Sequence, residues 1–371
     1  MTSPSLAGRR VSVIVPTFKE VENLPHLIDR LAKVRESSSL DLEELIMDDD
    51  SRDGSAELMA KRTESWVKLV VRTTDRGLSP AVIDGLNRAT GEILVCMDAD
   101  LSHPPESIPA MVAKLDDGAD FVMGSRYVEG GSTSDDWGIL RWLNSRVATI
   151  LARPLTTTRD PMSGFFGLRQ ATYEKHELLN PVGYKIGLEL IVKCRCERVV
   201  EVPIHFEDRQ YGKSKLSFKQ QMLYLKHLRR LYDFKFGGWA QFAQFLVVGG
   251  IGTAVNLLLF TVFLHLAVPD KTSVALSIFL SMVFNFILNR RFSFSAARSG
   301  SLLRQFVGFM LACSVGAVIN YAITVFLIHS SPTLPKQVDA LAGIAAATLF
   351  NFVTSRYLVF RTKHIREKGG K

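Results

Sequence analysis

The stretch Leu94–Pro105, LVCMDADLSHPP, ends a run of apolar residues with two carboxylates, Asp98 and Asp100. The apolar residues before them are typical of a strand inside a sheet. An unpaired carboxylate is too costly to bury in a core, so both are predicted to serve a cationic ligand. Hard divalent cations prefer carboxylate oxygens, and the motif therefore predicts a Mg²⁺ or Mn²⁺ site at the end of a strand.

Short apolar segments alternate with helical patterns over the first part of the chain. The predicted strands are residues 11–15, 45–47, 67–71, 93–97 and 121–123, and the predicted helices include residues 21–34 and 80–89, with others opening at Gly54 and after Pro105. This alternation indicates an α/β fold with a parallel sheet. In such a sheet ligands bind beyond the carboxyl ends of the strands.

Polar residues follow four of these strands. They are Glu20, the cluster Asp48–Asp50, the pair Asp98 and Asp100, and Arg126. They are predicted to meet in one crevice, the alternative being unrelated surface charges. No G-x-G-x-x-G follows the first strand, which disfavours a dinucleotide site.

From Phe236 onward the composition becomes that of a membrane protein. Four spans lack Asp, Glu, Lys and Arg: residues 236–269, 272–289, 305–335 and 340–355. A transmembrane helix needs about 20 apolar residues, so four such helices are predicted. A hydrophobic soluble core is the alternative.

Basic residues flank this region on one side. Arg and Lys concentrate in residues 290–304 and 356–371, whereas the other two loops carry little charge. The positive-inside rule places both termini in the cytoplasm, and the start of the chain shows no signal-peptide pattern. Much of the net charge of +8 thus lies beside the membrane and gives no argument for a nucleic-acid partner.

Residues 217–236 form an amphipathic pattern just before the first membrane span, and we predict an interfacial helix lying on lipid headgroups. Its apolar face is predicted to contain Phe218, Met222, Leu225, Tyr232 and Phe236. A helix that belongs to the soluble domain is the alternative.

The membrane region repeats itself. Phe284–Phe294 (FNFILNRRFSF) is similar to Phe350–Phe360 (FNFVTSRYLVF), and Asn256 and Asn320 occupy comparable places in the first and third spans. Two helical hairpins related by duplication are predicted. The asparagines are expected to hydrogen-bond between helices, the alternative being part of a lipid path.

Six segments in order carry a family resemblance: VSVIVPTFKE, DDDSRDGS, MDADLSHPPE, GSRY, DPMSGFFGLR and EDRQYGKSKL. Together they resemble the family 2 glycosyltransferases, specifically the dolichol-phosphate mannose synthases, over about residues 10–235. Residues 240–362 resemble the GtrA-like four-helix membrane domain. The resemblance implies a Rossmann-like GT-A catalytic domain (residues 1–216), the interfacial helix (217–238), an all-α membrane domain (239–362) and a basic cytoplasmic tail (363–371).

The implied reaction is inverting transfer of mannose from GDP-mannose to a polyprenyl (dolichyl-type) phosphate. Carried over by motif, the nucleotide-sugar site comprises Pro16, Phe18, Glu20, Met47, Asp49, Asp98, Ala99, Asp100, Arg126, Arg209 and Lys215. Within it, the implied catalytic residues are Asp100, Arg126, Arg209 and Lys215. The implied metal ligands are Asp98, Asp100 and Ser102. Phe18 and Ser102 depart from the family, which often has Tyr and Gln there.

The acceptor is expected to bind along residues 130–155. A Gly/Ser-rich loop precedes apolar residues at helical spacing, and the matching segment of the mannose synthases lies near the lipid. We predict that Arg141, Trp142 and Ser145 bind the acceptor, with Arg141 on its phosphate. Apolar side chains predicted to enter the lipid interface are Ile139, Leu140, Trp142, Leu143 and Ile150. The alternative is a helix packed on the sheet.

Two other functions stay open at this point. One is a polyprenyl-phosphate glucosyltransferase that uses UDP-glucose. The other is a membrane half that acts as a flippase for lipid-linked sugars, although four spans without acidic or basic residues argue against an energised transporter. The pattern does not determine the polyprenol length or the oligomeric state.

Overall fold

The computed structural model describes residues 6–133, 139–179, 182–207, 218–295, 297, 300–330 and 336–361, and the side chains of 139–143, 218–219 and 336–337 lie outside this description. The chain divides into two compact units, Met1–Lys235 and Phe236–Lys371. Most of the segment predicted as a separate interfacial helix therefore belongs to the first unit.

A seven-stranded sheet organises the first unit. The strands are β1 (Arg10–Thr17), β2 (Asp41–Asp48), β3 (Val67–Val71), β4 (Ile93–Cys96), β5 (Phe121–Ser125), β6 (Ser132–Thr133), β7 (Phe166–Arg169), β8 (Val199–Pro203) and β9 (His205–Phe206). The sheet order is β3-β2-β1-β4-β7-β5-β8, and β6 pairs with β9 separately. Every strand of the large sheet except β7 runs in one direction. Their carboxyl ends therefore lie along one edge.

Helices cover both faces of this sheet. They are α1 (Leu24–Ser38), α2 (Ser55–Ala60), α3 (Leu78–Arg88), α4 (Ile108–Asp116), α5 (Ile139–Ala152), α6 (Gln170–Tyr173), α7 (Ile186–Lys193) and α8 (Phe218–Phe236). Side chains of β1 alternate between the two layers. Val13 and Val15 belong to the core with α1 and α4, whereas Ile14 belongs to the core with α3 and α7. Each such side chain contributes about 1.5–3 kcal/mol by burial.

The five predicted strands run in one direction, as expected, but β7, which was not predicted from the sequence, is antiparallel to them. This strand lies between β4 and β5 and is antiparallel to both, with Gly167 opposite Val95 on one side and Val122 on the other. A buried strand of four residues shows no alternation of apolar and polar positions, so its direction leaves no pattern in the sequence.

The helix α8 packs on the first unit mainly through residues outside its predicted apolar face. Leu228 and Leu231 are buried in a cluster with Ala152 of α5 and Leu188 of α7. Met222 and Leu225, which were predicted to face lipid, are about half exposed. The helix therefore uses a different stripe to pack on the first unit, and its contact with lipid stays a prediction.

The second unit contains four long apolar helices. They are α9 (Gly238–His265), α10 (Asp270–Leu288), α11 (Leu302–Ser330) and α12 (Lys336–Thr354). All four are long and apolar enough to cross a membrane, which confirms the predicted spans. Asp270 and Asp339, predicted as loop residues, lie in the first turns of α10 and α12. A carboxylate there interacts favourably with the positive end of the helix dipole.

The two hairpins repeat one packing arrangement. Asn285 of α10 lies against Gly252 of α9, and Asn351 of α12 lies against Gly316 of α11, so closely that a Cβ on either glycine would collide with the amide. Small residues let membrane helices approach each other in this way. Both hairpins end in a π-helical turn, at Asn289–Ser293 and Ser355–Val359.

Aromatic side chains at matching places of the hairpins form one cluster. The buried phenylalanines are Phe245, Phe286, Phe294, Phe309, Phe352 and Phe360. Asn320 of α11 faces Gly343 of α12 and accepts a hydrogen bond from Thr324 at 3.3 Å. This position agrees with a role in helix packing for Asn320. The corresponding role of Asn256 stays a prediction.

Candidate active site

A cavity of about 690 Å³ opens at the carboxyl edge of the sheet. Residues that follow β1, β2, β4 and β5 form its polar wall, and α5 with α8 form an apolar wall. The predicted nucleotide-sugar residues that line it are Pro16, Phe18, Glu20, Asp49, Asp98, Ala99, Asp100 and Arg126. The sheet therefore brings the four predicted strand ends into one crevice.

Met47 and Asp49, predicted to contact the base, have different surroundings. Met47 is fully buried among core residues and does not line the cavity. Asp49 lines it, but its carboxylate forms an ion pair with Arg72 and accepts the Gly77 N–H at 2.7 Å. Gly77 has a φ of +136°, a conformation that favours glycine. Asp49 thus fixes the segment 72–77 at the cavity.

The predicted metal motif forms a tight loop after β4. Asp98 is 30% exposed, whereas Asp100 is almost fully buried. Asp100 Oδ1 accepts two hydrogen bonds from Ser102, from the hydroxyl at 2.5 Å and from the N–H at 3.2 Å. Between them Leu101 has a φ of +62°, a strained value for a leucine. Ser102 is buried and does not line the cavity, so it orients Asp100 from behind.

The donor set of this loop fits a divalent cation that binds together with a phosphate ligand. In the described part of the chain, no group of three or more His, Cys, Asp or Glu side chains could hold a metal ion. Mg²⁺ is commonly held by one or two carboxylates, with waters and substrate phosphates completing its shell. Asp98 and Asp100 are thus sufficient for an ion that arrives with a diphosphate.

His103 supports the same loop and was given no role from the sequence. Its Nδ1 accepts the N–H of Asp98 at 3.0 Å, and its ring stacks on Phe165. Burial lowers the pKa of His103, although Asp98 and Asp100 oppose this effect. The neutral imidazole can accept at Nδ1, which requires the proton on Nε2.

Arg126 forms a buried, bidentate ion pair at the polar wall of the cavity. Its Nε and Nη2 donate to Asp160 at 2.7 and 2.8 Å, and Asp160 is fully buried. The Phe206 ring lies 5.1 Å from the guanidinium carbon. Such a planar pair fixes the orientation of the guanidinium.

Several predicted residues fall outside the described part. Arg209 and Lys215 lie in the segment 208–217, which the structure does not describe. Arg141 and Trp142 belong to α5, but their side chains are outside the description. Ser145 of α5 lines the cavity, where its hydroxyl lies 2.9 Å from that of Tyr127. Of the predicted acceptor residues, Ser145 is therefore the one whose side chain is located.

The apolar wall is built by two helices that contact each other. Val147 and Leu151 of α5 and Tyr224 and Leu225 of α8 line it. The Tyr224 hydroxyl donates to the carbonyl of Ala148 at 2.8 Å and so joins the helices at the cavity. Ile150, predicted to enter lipid, is 66% exposed. The cavity thus combines an ion-binding end with a wall suited to hydrocarbon.

Two family models match the two units. Residues 12–176 match the glycosyl transferase family 2 model, and residues 244–360 match the GtrA/DPMS transmembrane domain. The first match covers the strands that build the cavity. The second covers most of the four membrane helices.

A relative that matches nearly the whole chain establishes the family. The chain is 36% identical over 358 residues to the dolichol-phosphate mannosyltransferase of Pyrococcus furiosus, covering 95% of this chain and 100% of that relative. The chain belongs to the dolichol-phosphate mannosyltransferase family. Proteins of that name from Mycosarcoma maydis and Saccharomyces cerevisiae are 44% and 43% identical over 61% of this chain, which covers 80% and 88% of their lengths.

Membership in the dolichol-phosphate mannosyltransferase family establishes the enzyme class. The protein is a glycosyltransferase with a GT-A catalytic domain, followed by a four-helix membrane region. This confirms the family resemblance and the fold class inferred from the six motifs, and it makes the protein a multi-pass membrane protein.

Two further polar residues of this dolichol-phosphate mannosyltransferase site were missed in the sequence. Asp160 lies in the motif DPMSGFFGLR, but its partner Arg126 is 34 positions away. Lys185 lines the cavity from a segment that carries no motif of its own. The sequence offered a signal for Asp160, an acidic residue inside a family motif, and none for Lys185.

Proposed function

We propose that the protein transfers mannose from GDP-mannose to the phosphate of a polyprenol, in a metal-dependent reaction that inverts the sugar carbon. The observation that carries the proposal is the shape of the cavity. One end presents Asp98, Asp100 and Arg126, and the other is an apolar wall of α5 and α8. An anionic sugar donor and a lipid acceptor need these two environments in one space. The names of the three relatives support mannose as the sugar and dolichol phosphate as the acceptor class.

The donor side requires stabilisation of a leaving diphosphate. Asp98 and Asp100 would hold the divalent cation, which supplies Lewis-acid stabilisation of the leaving group. Arg126, fixed by Asp160, adds positive charge with a set orientation. Arg209 and Lys215 are proposed to contribute further charge, as the family motif implies.

The acceptor side requires positioning more than proton transfer. A phosphate monoester has a second pKa of about 6, so it is already anionic near neutral pH. It can attack the sugar carbon without a general base. The protein must hold it in line with the bond that breaks. Arg141, Trp142 and Ser145 are proposed for this task, with Arg141 on the phosphate.

The membrane region would keep the enzyme at the surface where its lipid substrate lies. The distribution of Arg and Lys supports an orientation with the catalytic unit and both termini in the cytoplasm. GDP-mannose would then enter from the cytosolic side.

A donor screen tests the proposed function. Purified protein is given GDP-mannose, UDP-glucose or UDP-galactose with a short polyprenyl phosphate and Mn²⁺ or Mg²⁺, and the lipid product is identified by mass spectrometry. We expect polyprenyl phosphate mannose from GDP-mannose and loss of turnover in excess EDTA. Preference for UDP-glucose would identify the protein as a glucosyltransferase instead. Full activity in excess EDTA would contradict the proposed metal dependence.

Asp100→Asn provides the matched variant. It should lower kcat by about two to three orders of magnitude, the usual effect of removing one electrostatic stabiliser. Asp117→Asn is the control, because Asp117 is 68% exposed and does not line the cavity. Its activity should equal that of the unmodified protein.

A further inference from the structure

Lys185 presents a positive charge to the cavity. It immediately precedes α7 and is half-buried in the cavity wall. Its Nζ donates a hydrogen bond to the carbonyl of Met162 at 2.7 Å. An ammonium group has three N–H donors, so this carbonyl uses one of them.

Lys185 differs from two other lining or nearby cations, Arg126 and Lys193, because none of the described carboxylates is paired with it. Arg126 is paired with Asp160, and Lys193 at the other end of α7 is paired with Glu189 at 3.0 Å. Within the part of the chain that the structure describes, Lys185 forms no ion pair. A cation that is partly removed from water and has no paired carboxylate among the described residues is favoured by a negatively charged ligand, so an anion bound at this position would stabilise Lys185.

The electrostatic surroundings agree with this view. Burial and, to a smaller extent, the charge of Arg126 lower the pKa of Lys185 to about 8, although Asp160 and Asp98 oppose this shift. Lys185 still carries most of its charge at pH 7, and an anion bound beside it would raise its pKa again.

One loop orients both cavity cations. Asp160 holds the Arg126 guanidinium, and two residues later the Met162 carbonyl holds the Lys185 ammonium. Both cations line the same cavity, and Ser163 and Gly164 of this loop also line it. The loop therefore fixes the orientation of both cations at the cavity.

The segment of Lys185 also contacts the helix that forms the apolar wall. The adjacent Tyr184 hydroxyl accepts a hydrogen bond from Gln220 of α8 at 2.9 Å. Further along the same helix, Tyr224 and Leu225 line the cavity. Lys185 thus lies next to a residue that contacts the helix of the apolar wall.

We propose that Lys185 also binds the phosphate of the polyprenyl acceptor, while the hydrocarbon chain lies along α5 and α8. This assignment rests on the proposed function and adds a phosphate-binding residue that no motif indicated. The Met162 carbonyl fixes the ammonium before the lipid arrives, which lowers the entropic cost of binding.

Binding without a donor tests the assignment separately from catalysis. The full-length protein in detergent is titrated with farnesyl phosphate and with farnesol, and dissociation constants are measured without nucleotide. Lys185→Gln can still donate to the Met162 carbonyl but has no charge. It should weaken farnesyl phosphate binding about ten- to a hundredfold, the range for one buried charged hydrogen bond. The affinities for farnesol and GDP-mannose should change less than about twofold, since farnesol has no phosphate and GDP-mannose is proposed to bind away from Lys185.

Lys193→Gln is the matched control. Lys193 also lies at an end of α7 and donates to a backbone carbonyl, that of Leu178, but it does not line the cavity. Its replacement should lower the Tm and leave farnesyl phosphate binding unchanged. Lys185→Met provides a second neutral variant if the glutamine protein does not fold.

Three results would overturn the assignment: unchanged farnesyl phosphate affinity in a folded Lys185 variant, equal losses for farnesyl phosphate and farnesol, or a loss confined to GDP-mannose. The last result would move Lys185 to the donor diphosphate. If the unmodified protein prefers farnesyl phosphate over farnesol through Lys185 but transfers no mannose, the assignment stands and the proposed function fails.

Discussion

Two adjacent glutamates on β2, Glu43 and Glu44, have pKa shifts in opposite directions. Burial alone would raise the pKa of Glu43, but hydrogen bonds from Ser12, Thr90 and Lys68 lower it to about 2. Glu44 points to the other face of the strand and is fully buried. Burial raises its pKa to about 8, and neither carboxylate oxygen has a hydrogen-bond partner among the described residues. The first carboxylate stabilises the protein and the second destabilises it.

We therefore predict opposite effects of replacing them. Glu44→Met should stabilise the catalytic unit at pH 8 by about 1–3 kcal/mol, the cost of a buried unsatisfied polar group. The gain should grow from about pH 4.5 to pH 8. Over that range Glu44 is ionised in the unfolded chain but stays protonated in the folded protein, so each rise in pH favours unfolding of the unmodified protein. Glu43→Gln should lower stability above about pH 4.5, and this loss should fade as the pH falls towards 2.

Thermal unfolding in detergent across pH 4–9 measures both variants. About 2–4 °C is expected per kcal/mol for a unit of this size. Equal effects of the two substitutions, or a Glu44→Met gain that is independent of pH, would contradict the assignment of charge states.

Among single residues, the local motifs were predictable and their partners were not. Asp98 and Asp100 stand out because two carboxylates follow an apolar strand. The pairing of Arg126 with Asp160 depends on where two distant loops meet, which the fold alone decides. Lys185 cannot be distinguished from other lysines in the sequence, because its proposed role depends on the cavity and on the charged groups around it in the fold.

The pair formed by α5 and α8 yields a prediction about the apolar wall. Tyr224 and Tyr232 each donate from their hydroxyls to α5 carbonyls at 2.8 Å, those of Ala148 and Leu151. Tyr224 lines the cavity and Tyr232 does not. Replacing either by Phe should cost about 0.5–1.5 kcal/mol of stability. Only Tyr224→Phe should raise the KM for the polyprenyl phosphate, by about three- to tenfold, if part of that energy positions the wall.

Steady-state kinetics with varied acceptor separate these roles, with Tyr232→Phe as the control for lost stability. Equal acceptor KM values in the two variants would mean that the helix contact supports the fold without shaping the acceptor site.

The strands that end in functional motifs were found from the sequence, whereas β7 and β8 were not. A strand such as β4 is marked by an apolar run and the polar residues after it. β7 is short, buried and interrupted by Gly167, so its pairing becomes visible only when β4 and β5 flank it. For α8, the sequence contained two apolar stripes: Leu228 and Leu231 pack on the first unit, whereas Met222 and Leu225 of the stripe predicted to face lipid are about half exposed.

At the scale of the whole molecule, the division at Lys235 predicts that transfer does not require the membrane region. All described residues that line the cavity precede this position. A shortened protein ending at Lys235 should fold and transfer mannose to a detergent-dispersed, short-chain acceptor. Its kcat should stay within about tenfold of the full chain, while the acceptor KM rises because membrane confinement no longer concentrates enzyme and lipid together.

The full chain in the same detergent is the control, with GDP-mannose binding as the test of folding. If the shortened protein binds GDP-mannose but transfers nothing at any acceptor concentration, the membrane region contributes directly to the reaction.

The place of β7 has a consequence for biosynthesis. The ribosome completes β4 and β5 first, yet these strands do not pair with each other, because β7 occupies the space between them. Both must keep an unpaired inner edge until residues 166–169 have emerged, and exposed strand edges are prone to pairing with other chains. The centre of the sheet is therefore assembled late, shortly before the first membrane helix at Gly238 is synthesised. Nascent chains that stop before residue 166 contain most catalytic motifs but no closed sheet, and they are the stage at which chaperone protection matters most.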